Sequence, residues 1–362
     1  VTAPVAVPSA ATADTTAVSD RPAGSDRPAL PAVSFAHVYR LTDDVGLFEH
    51  AEFTRPREEH AYCVDDVSRG LVAIAREDAP DARLLALGEL YLQFVLDAQA
   101  PDGRFANRRA LDRHWEDEPS VEDCWGRALW SLGTAAARLP LSADRALAAF
   151  DRGATLRSEY PRAMAFAGLG AAEVLAVHPD HAGARALLAD SVASVGVPGD
   201  DPRWCWPEDR LRYANAALAE VLLLAGARLD DAAALDRGLA MLGWLFDVES
   251  VQGHLSITPV DGWSLGEPRP AFDQQPIEVA ALADACATAF SLTGDHRWAD
   301  GVRLCAAWFL GYNDAAVALH DPVSGGGCDG LLVYGRNENQ GAESTLALLS
   351  TLQQAHRMPA SR

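Results

Sequence analysis

The sequence predicts an all-α chain arranged as an (α/α)6 barrel, an inner ring of six buried helices inside an outer ring of amphipathic ones. Three observations predict it. A polar cluster followed by an apolar, small-residue run recurs six times. Those runs are apolar nearly all round, the mark of a buried helix. Half-buried stretches with helical periodicity alternate with them.

The six inner segments are YCVDDVSRGLVAIA from Tyr62, VEDCWGRALWSLGTAA from Val121, SEYPRAMAFAGLGAAEVLAV from Ser158, LRYANAALAEVLLLAG from Leu211, QQPIEVAALADACATAF from Gln274 and NQGAESTLALLSTLQQA from Asn339. Their starts lie ~55 residues apart on average, room for a helical hairpin with its loops. For the outer ring, ARLLALGELYLQFVLDAQ puts Leu84, Leu87, Tyr91 and Val95 on one helical face. ADRALAAFDRGATL, HAGARALLADSVASV, DDAAALDRGLAMLGWLFDV and HRWADGVRLCAAWFL repeat the pattern. The first two inner segments also align as D-x-x-x-R-x-L, with Asp65, Arg69 and Leu71 against Asp123, Arg127 and Leu129. An α-solenoid is the alternative packing of such repeats. No Pro/Gly/Ser linker interrupts the chain after residue 35, so residues 36–362 are expected to form one barrel and the Ala/Pro/Ser-rich residues 1–35 a disordered tail.

Composition removes several chemistries. The net charge of −21 repels nucleic acid and anionic lipid, and no apolar run approaches the ~20 residues of a membrane span, so neither partner is expected. All of the bases are arginine; without lysine there is no Schiff base, pyridoxal linkage or P-loop. The six cysteines are scattered without a CxxC pair, which reads as free thiols in a reducing, cytoplasmic setting. No histidines or cysteines show a recognised zinc spacing, so no metal or other cofactor is expected.

Parallel inner helices would bring their polar starts to one mouth: Asp65 and Asp66, Glu122 and Asp123, Glu159 and Tyr160, Glu208 and Asp209, Asp273, Gln274 and Gln275, and the run from Asn337 through Asn339 and Gln340 to Glu343, with Arg162 added to the expected substrate-binding set. Single carboxylates at helix starts are ordinary caps. Two adjacent ones in successive repeats are not, because like charges repel. Asp65–Arg69 and Asp123–Arg127 have the i,i+4 spacing of ion pairs, which leaves Asp66 and Glu122 uncommitted. In a closed ring Glu343 on the last inner helix abuts Asp65 and Asp66. Glycoside hydrolysis needs such a cross-cleft pair, one carboxyl protonated and one ionised. The expected catalytic set is therefore Asp66, Glu343, Glu122, Asp65 and Asp123, with Asp66 as one member of the pair and Glu343 or Glu122 as the proton donor. Trp115, Trp125, Trp204, Trp206 and Trp263 fall in or beside the presumed loops, where they offer flat platforms for sugar rings. His60, Tyr62, Arg127 and Tyr213 complete the expected substrate-binding set.

The stretches RLTDDVGLFEHA (40–51), HAYCVDDVSRGL (60–71), VEDCWGRALW (121–130), WCWPEDRLRYANAALAEVLLLAG (204–226) and NENQGAESTLALL (337–349) together resemble a bacterial family of six-hairpin, glycosidase-like domains often associated with glycosyltransferases. The resemblance covers residues 36–356. It implies the barrel, an oligo- or polysaccharide substrate and a glycosyltransferase as partner. The wider superfamily includes glycoside hydrolases, unsaturated glucuronyl hydrolases and sugar 2-epimerases, so a sugar epimerase or lyase, or a non-catalytic carbohydrate-binding scaffold, is the alternative function. Asp65 and Asp66 also resemble the Asp-Asp pair of α-1,6-mannanase-type barrels, followed here by Val67 and Ser68 where those carry aromatic residues.

Overall fold

A computed structural model describes residues 29–360. Among them the chain forms twelve α-helices and four two-stranded antiparallel ladders, three of them hairpins and one joining residues 62–63 to 108–109. The inner staves are α2 (Val64–Ala75), α4 (Asp123–Arg138), α6 (Pro161–Val177), α8 (Asn215–Leu229), α10 (Pro276–Thr293) and α12 (Ala342–Arg357). Each packs on the next, and α12 packs back on α2, so the ring closes and a solenoid is excluded. Outside them lie α3 (Ala82–Ala98), α5 (Ala143–Gly153), α7 (Ala182–Val195), α9 (Ala232–Val248) and α11 (His296–Phe309), each against the stave before it; the short α1 (Ala36–Arg40) covers α12. This is the (α/α)6 barrel.

Small residues let the staves approach. A Cβ on Gly126 would collide with the backbone of Ala163, and one on Gly133 with that of Gly170, so α4 and α6 pack backbone to backbone. By length and composition α10 could cross a membrane, contrary to the expectation that no segment would; in the fold it is a stave held between α8 and α12.

The two ends of the barrel differ. Connections from a stave to its outer helix are short, such as 230–231 and 294–295. Those from an outer helix to the next stave, such as 99–122, 249–275 and 310–341, are long, and they crown the stave N-termini. Capping follows the same division. Asp81, His181, Asp231 and Asp295 cap outer helices with their own side chains, whereas no inner stave has a side-chain cap from its own N-cap residue. Residues 1–28 of the expected tail lie outside the described residues. Residues 29–35 are not a free tail: Leu30, Val33 and Phe35 pack on the core and the Pro31 carbonyl accepts from His356, 2.8 Å.

Candidate active site

The stave N-termini carry two arginine-centred clusters. In the first, Arg69 spans the ring closure: Nη1 donates to Asp66 on its own stave, and Nη2 to Glu343 on α12 at 2.7 Å. Asp66 is 2 % exposed and also accepts from the Cys63 thiol at 3.3 Å. Burial, with the charges of Glu343 and Glu49 adding and Arg69 opposing, pushes the Asp66 carboxyl up to about 7. Glu343 stays open to solvent, its side chain 39 % exposed.

In the second cluster Arg127 lies 3.0 Å from Asp65 and 3.4 Å from Asp123. Asp65 is half-buried, and its loss of water opposes its charge, but Arg127, Arg69 and an Asn107 amide bond at 3.0 Å outweigh that and hold it below the usual carboxylate range. The pairing expected from spacing is thus half corrected. Asp123 does pair with Arg127, but Asp65 reaches across to the same arginine and leaves Arg69 to Asp66. A helix turn places i+3 as near as i+4, and only packing decides which is taken. Nor is Asp65 a cap: the α2 N-terminus is satisfied by the Asn107 carbonyl, which takes Val64 N–H at 2.9 Å. Glu122 is exposed and its side chain has no hydrogen bond or ion pair among the described residues.

A third group sits on the facing staves. Arg162 grips Glu208 at 2.7 and 2.9 Å, bonds Asn215 at 3.1 Å, and stacks on Tyr213 at 5.0 Å. Glu278 from α10 accepts the N–H groups of Ala214 and Asn215, capping α8 from its neighbour. Glu208 was expected at the mouth, whereas Arg69, Asn215 and Glu278 were not marked as site residues. The signal available was position, since each lies within a turn or a short loop of a polar stave start.

An axial cavity of about 590 Å3, counting its open mouth, lies between the staves, and of these charged groups only Arg69 and Glu343 line it. Arg69 and Glu343 stand at its rim, Trp130 and Phe166 form one wall as a stacked pair 5.7 Å apart, and Glu220, Asp284 and Ser350 lie at its floor. Asp66 does not line it; Arg69 stands in front. A second depression of about 750 Å3 is lined by Arg210, Tyr213, Asp261, Gln275 and Glu278.

Most of the expected tryptophan platforms are placed elsewhere. Trp125 is fully buried and donates to the Gly153 carbonyl at 3.2 Å, tying α4 to α5. Trp204, Trp206 and Trp263 cluster with Trp204 5.1 Å from Trp244 of α9 and 5.3 Å from Trp263, fastening two crown loops down. Trp115 packs on Phe94 at 5.4 Å. Tryptophan buries the most area of any side chain, so a long loop uses it first as an anchor. Tyr62 is buried and donates to Asp43 at 2.6 Å. Gln274 accepts from Trp308 at 2.9 Å inside the core. Gln340 bonds Ser324 and Asp321, Asn339 accepts from the Phe53 N–H, and Asn337 accepts from the Asn339 N–H, so these three fix crown loops. His60, Tyr160 and Asp273 are exposed at the crown, with His60 against His50. The six cysteines are free thiols. Glu49, Cys63 and Asp66 come together, but Arg108 holds Glu49, Arg69 holds Asp66 and burial keeps the Cys63 thiol protonated, so this set is already satisfied without an ion.

No protein-family model and no curated protein matches the chain by sequence. Solved structures do match by fold. A sugar epimerase from a ruminal bacterium superposes with a TM-score of 0.67 at 12% identity, covering 90% of this chain and 96% of that one. Cellobiose 2-epimerase from Bacillus thermoamylovorans gives 0.64 at 10% identity, covering 89% and 95%. The GH76 α-mannanase of Bacteroides thetaiotaomicron gives 0.61 at 10% identity, covering 88% and 92%. With the ring closed, the crown loops at one end and these likenesses across nearly the whole length, the chain has the six-hairpin (α/α)6 fold that carbohydrate-active epimerases and glycosidases share.

Proposed function

We propose that the protein is a carbohydrate-active enzyme that hydrolyses a glycosidic bond of a bacterial oligo- or polysaccharide at the rim of the axial cavity. One observation carries the reading: Arg69 holds two carboxyl groups in unlike environments, Asp66 from the first stave and Glu343 from the last. Asp66 keeps its proton to about neutrality, while Glu343 is open to the cavity. One buried, protonated carboxyl and one open to the cavity are what acid–base cleavage of an acetal requires. One guanidinium cannot hold them further apart than the ~9.5 Å of the wider glycosidase geometry.

In this assignment Glu343 is the base or nucleophile at the anomeric carbon, and Asp66 is the proton source, reaching the glycosidic oxygen once bound sugar draws the Arg69 guanidinium aside. Arg69, the group that lines the cavity between them, orients both. The donor is therefore Asp66, where the sequence favoured a glutamate; burial, which sequence does not display, reverses the roles. The second depression, with Tyr213 and Gln275 in its wall, accommodates sugars beyond the cleaved bond. A histidine-paired epimerase is less well supported, because among the described residues no histidine lines the cavity, and the His50–His60 pair lies out at the crown.

Hydrolysis screened across oligosaccharide arrays, with product anomers read by NMR, tests the reading. Asp66→Asn and Glu343→Gln should each lower kcat by ~100-fold or more with the melting temperature nearly unchanged. Near-native turnover by both variants overturns the assignment. Saccharide binding without turnover by the native protein instead favours a carbohydrate-binding scaffold, for which a glycosyltransferase is the expected partner.

A further inference from the structure

The cavity runs deeper than chemistry at its rim requires, and its walls follow one rule. On α2 the inward strip reads Arg69, Val72, Ala73 and then Arg76 at the helix end. On α12 it reads Glu343, Leu346, Ala347 and Ser350. Both follow i, i+3, i+4, i+7, a single helix face over two turns, with polar groups at the ends and apolar ones between. Asp284 below Ala280 and Ala281 on α10, and Glu220 below Ala217 on α8, complete the lower polar layer. Seven residues of helix rise ~10 Å, which is the separation of the two layers.

The lower layer is organised. Arg76 donates to Asp284 at 2.9 and 3.0 Å and to Ser350 at 2.9 Å, and Gln354 adds a bond to Asp284 at 2.7 Å. Glu220 is 6 % exposed; Thr288 donates to its Oε1 at 2.9 Å, and its Oε2 has no hydrogen-bond partner among the described residues. Ala280 and Ala281 are mid-helix on an inner stave yet half-exposed, because they face this open space.

Building on the hydrolase reading, we infer that the cavity is a chain-end subsite: it takes one uncharged six-membered sugar ring edge-on between the two polar layers, and so confines the enzyme to the terminus of a saccharide chain. The flat faces of the ring meet Trp130 and Phe166 on one side and the alanines of α10 and α12 on the other. Hydroxyls on the upper edge meet Arg69 and Glu343; those on the lower edge meet Glu220, Asp284 and Ser350. A single ring with a hydrogen bond of ~2.8 Å at each edge fills the ~10 Å gap. Burial and the neighbouring Asp284 keep a proton on Glu220, so the floor offers both a donor and acceptors. A uronate is disfavoured there, since Arg76 is already committed to Asp284.

Saturation-transfer NMR with D-glucose, D-mannose and D-galactose as probes tests the subsite on native protein, on Asp66→Asn and on Ala281→Phe, which fills the apolar belt without touching the rim. At least one hexose should bind the native and Asp66→Asn proteins, and Ala281→Phe should lose that binding at least tenfold while keeping its helical circular dichroism. If Ala281→Phe does not fold, Glu220→Met and Ser350→Ala, which remove a hydrogen-bonding group from the floor with little change in volume, should each weaken binding several-fold. Oligosaccharide digests should release monosaccharide from the first time point. Internal cleavage, or hexose binding indifferent to these variants, overturns the chain-end subsite and leaves the hydrolase reading standing. Hexose binding by a protein that cleaves nothing overturns the hydrolase reading and keeps the subsite. Failure of every probe to bind overturns the subsite.

Discussion

Ala214 holds a left-handed backbone, φ 47° and ψ 40°, just before α8. A residue with a Cβ strains there by roughly 1–2 kcal/mol. The strain persists because the Glu278 carboxyl takes both the Ala214 and Asn215 N–H groups, which turns the chain into the stave with Tyr213 facing the crown. Ala214→Gly should therefore stabilise the fold by about 0.5–1 kcal/mol, part of the relief being offset by the freer unfolded chain. A rise in the urea midpoint at unchanged slope would show it; a fall would mean that the bend is not strained. Arg69 was only half legible in the sequence. Its type and place were readable, but its partners were not, because Asp65 and Asp66 differ by one residue and so by ~100° around the helix. That rotation sends one carboxylate to Arg127 and the other to Arg69.

Elements differ in what sets their spacing. Between α4 and α6 it is set by glycine, since Gly133 abuts the Gly170 backbone with no room for a methyl group. Backbone cannot move aside as a flexible side chain can, so Gly133→Ala should cost ~3 kcal/mol or more, against the small gain alanine brings to an ordinary helix interior. Chemical denaturation measures this directly, and a neutral or stabilising result would mean that the two staves sit further apart. Trp130 belongs to the same stave and narrows the cavity, yet only the loop tryptophans were marked as sugar platforms in the sequence. Its position three residues after Arg127 was the available signal: a side chain at i+3 from a mouth arginine points down the barrel axis.

For the whole molecule, a ring of staves enclosing carboxyl groups ties stability to pH. Burial, with the charge of Glu249 adding, pushes the Glu278 carboxyl up to about 8, and burial with Asp284 raises Glu220. Between the unfolded carboxylate range and those raised values the folded state binds more protons than the unfolded one, so stability falls as pH rises. His37 and His320 are held below the usual histidine range by burial and act oppositely, but only up to about pH 6.5, the unfolded histidine value. Asp65 and Asp321 are lowered and matter only in acid. The clean window is therefore pH 6.5 to 8, where unfolding free energy should decline and Glu220→Gln should flatten the decline; each group contributes at most ~1.4 kcal/mol per pH unit. Equal slopes in native and Glu220→Gln proteins would show that Glu220 does not hold its proton in the folded state.

The six polar-headed apolar segments by themselves determined the barrel, its two rings and the end at which polar groups gather, because burial on all sides imposes a composition that a helix cannot hide. The tail boundary was legible only in part, since Val33 and Phe35 could be seen as apolar but not as packed. Tertiary structure alone decided which carboxylate pairs with which arginine, which tryptophans are anchors, and that polar layers at the two ends of the staves enclose a cavity. Those outcomes depend on contacts between residues up to 274 positions apart, as between Arg69 and Glu343. Such contacts follow from ring closure and helix rotation, which no local pattern encodes.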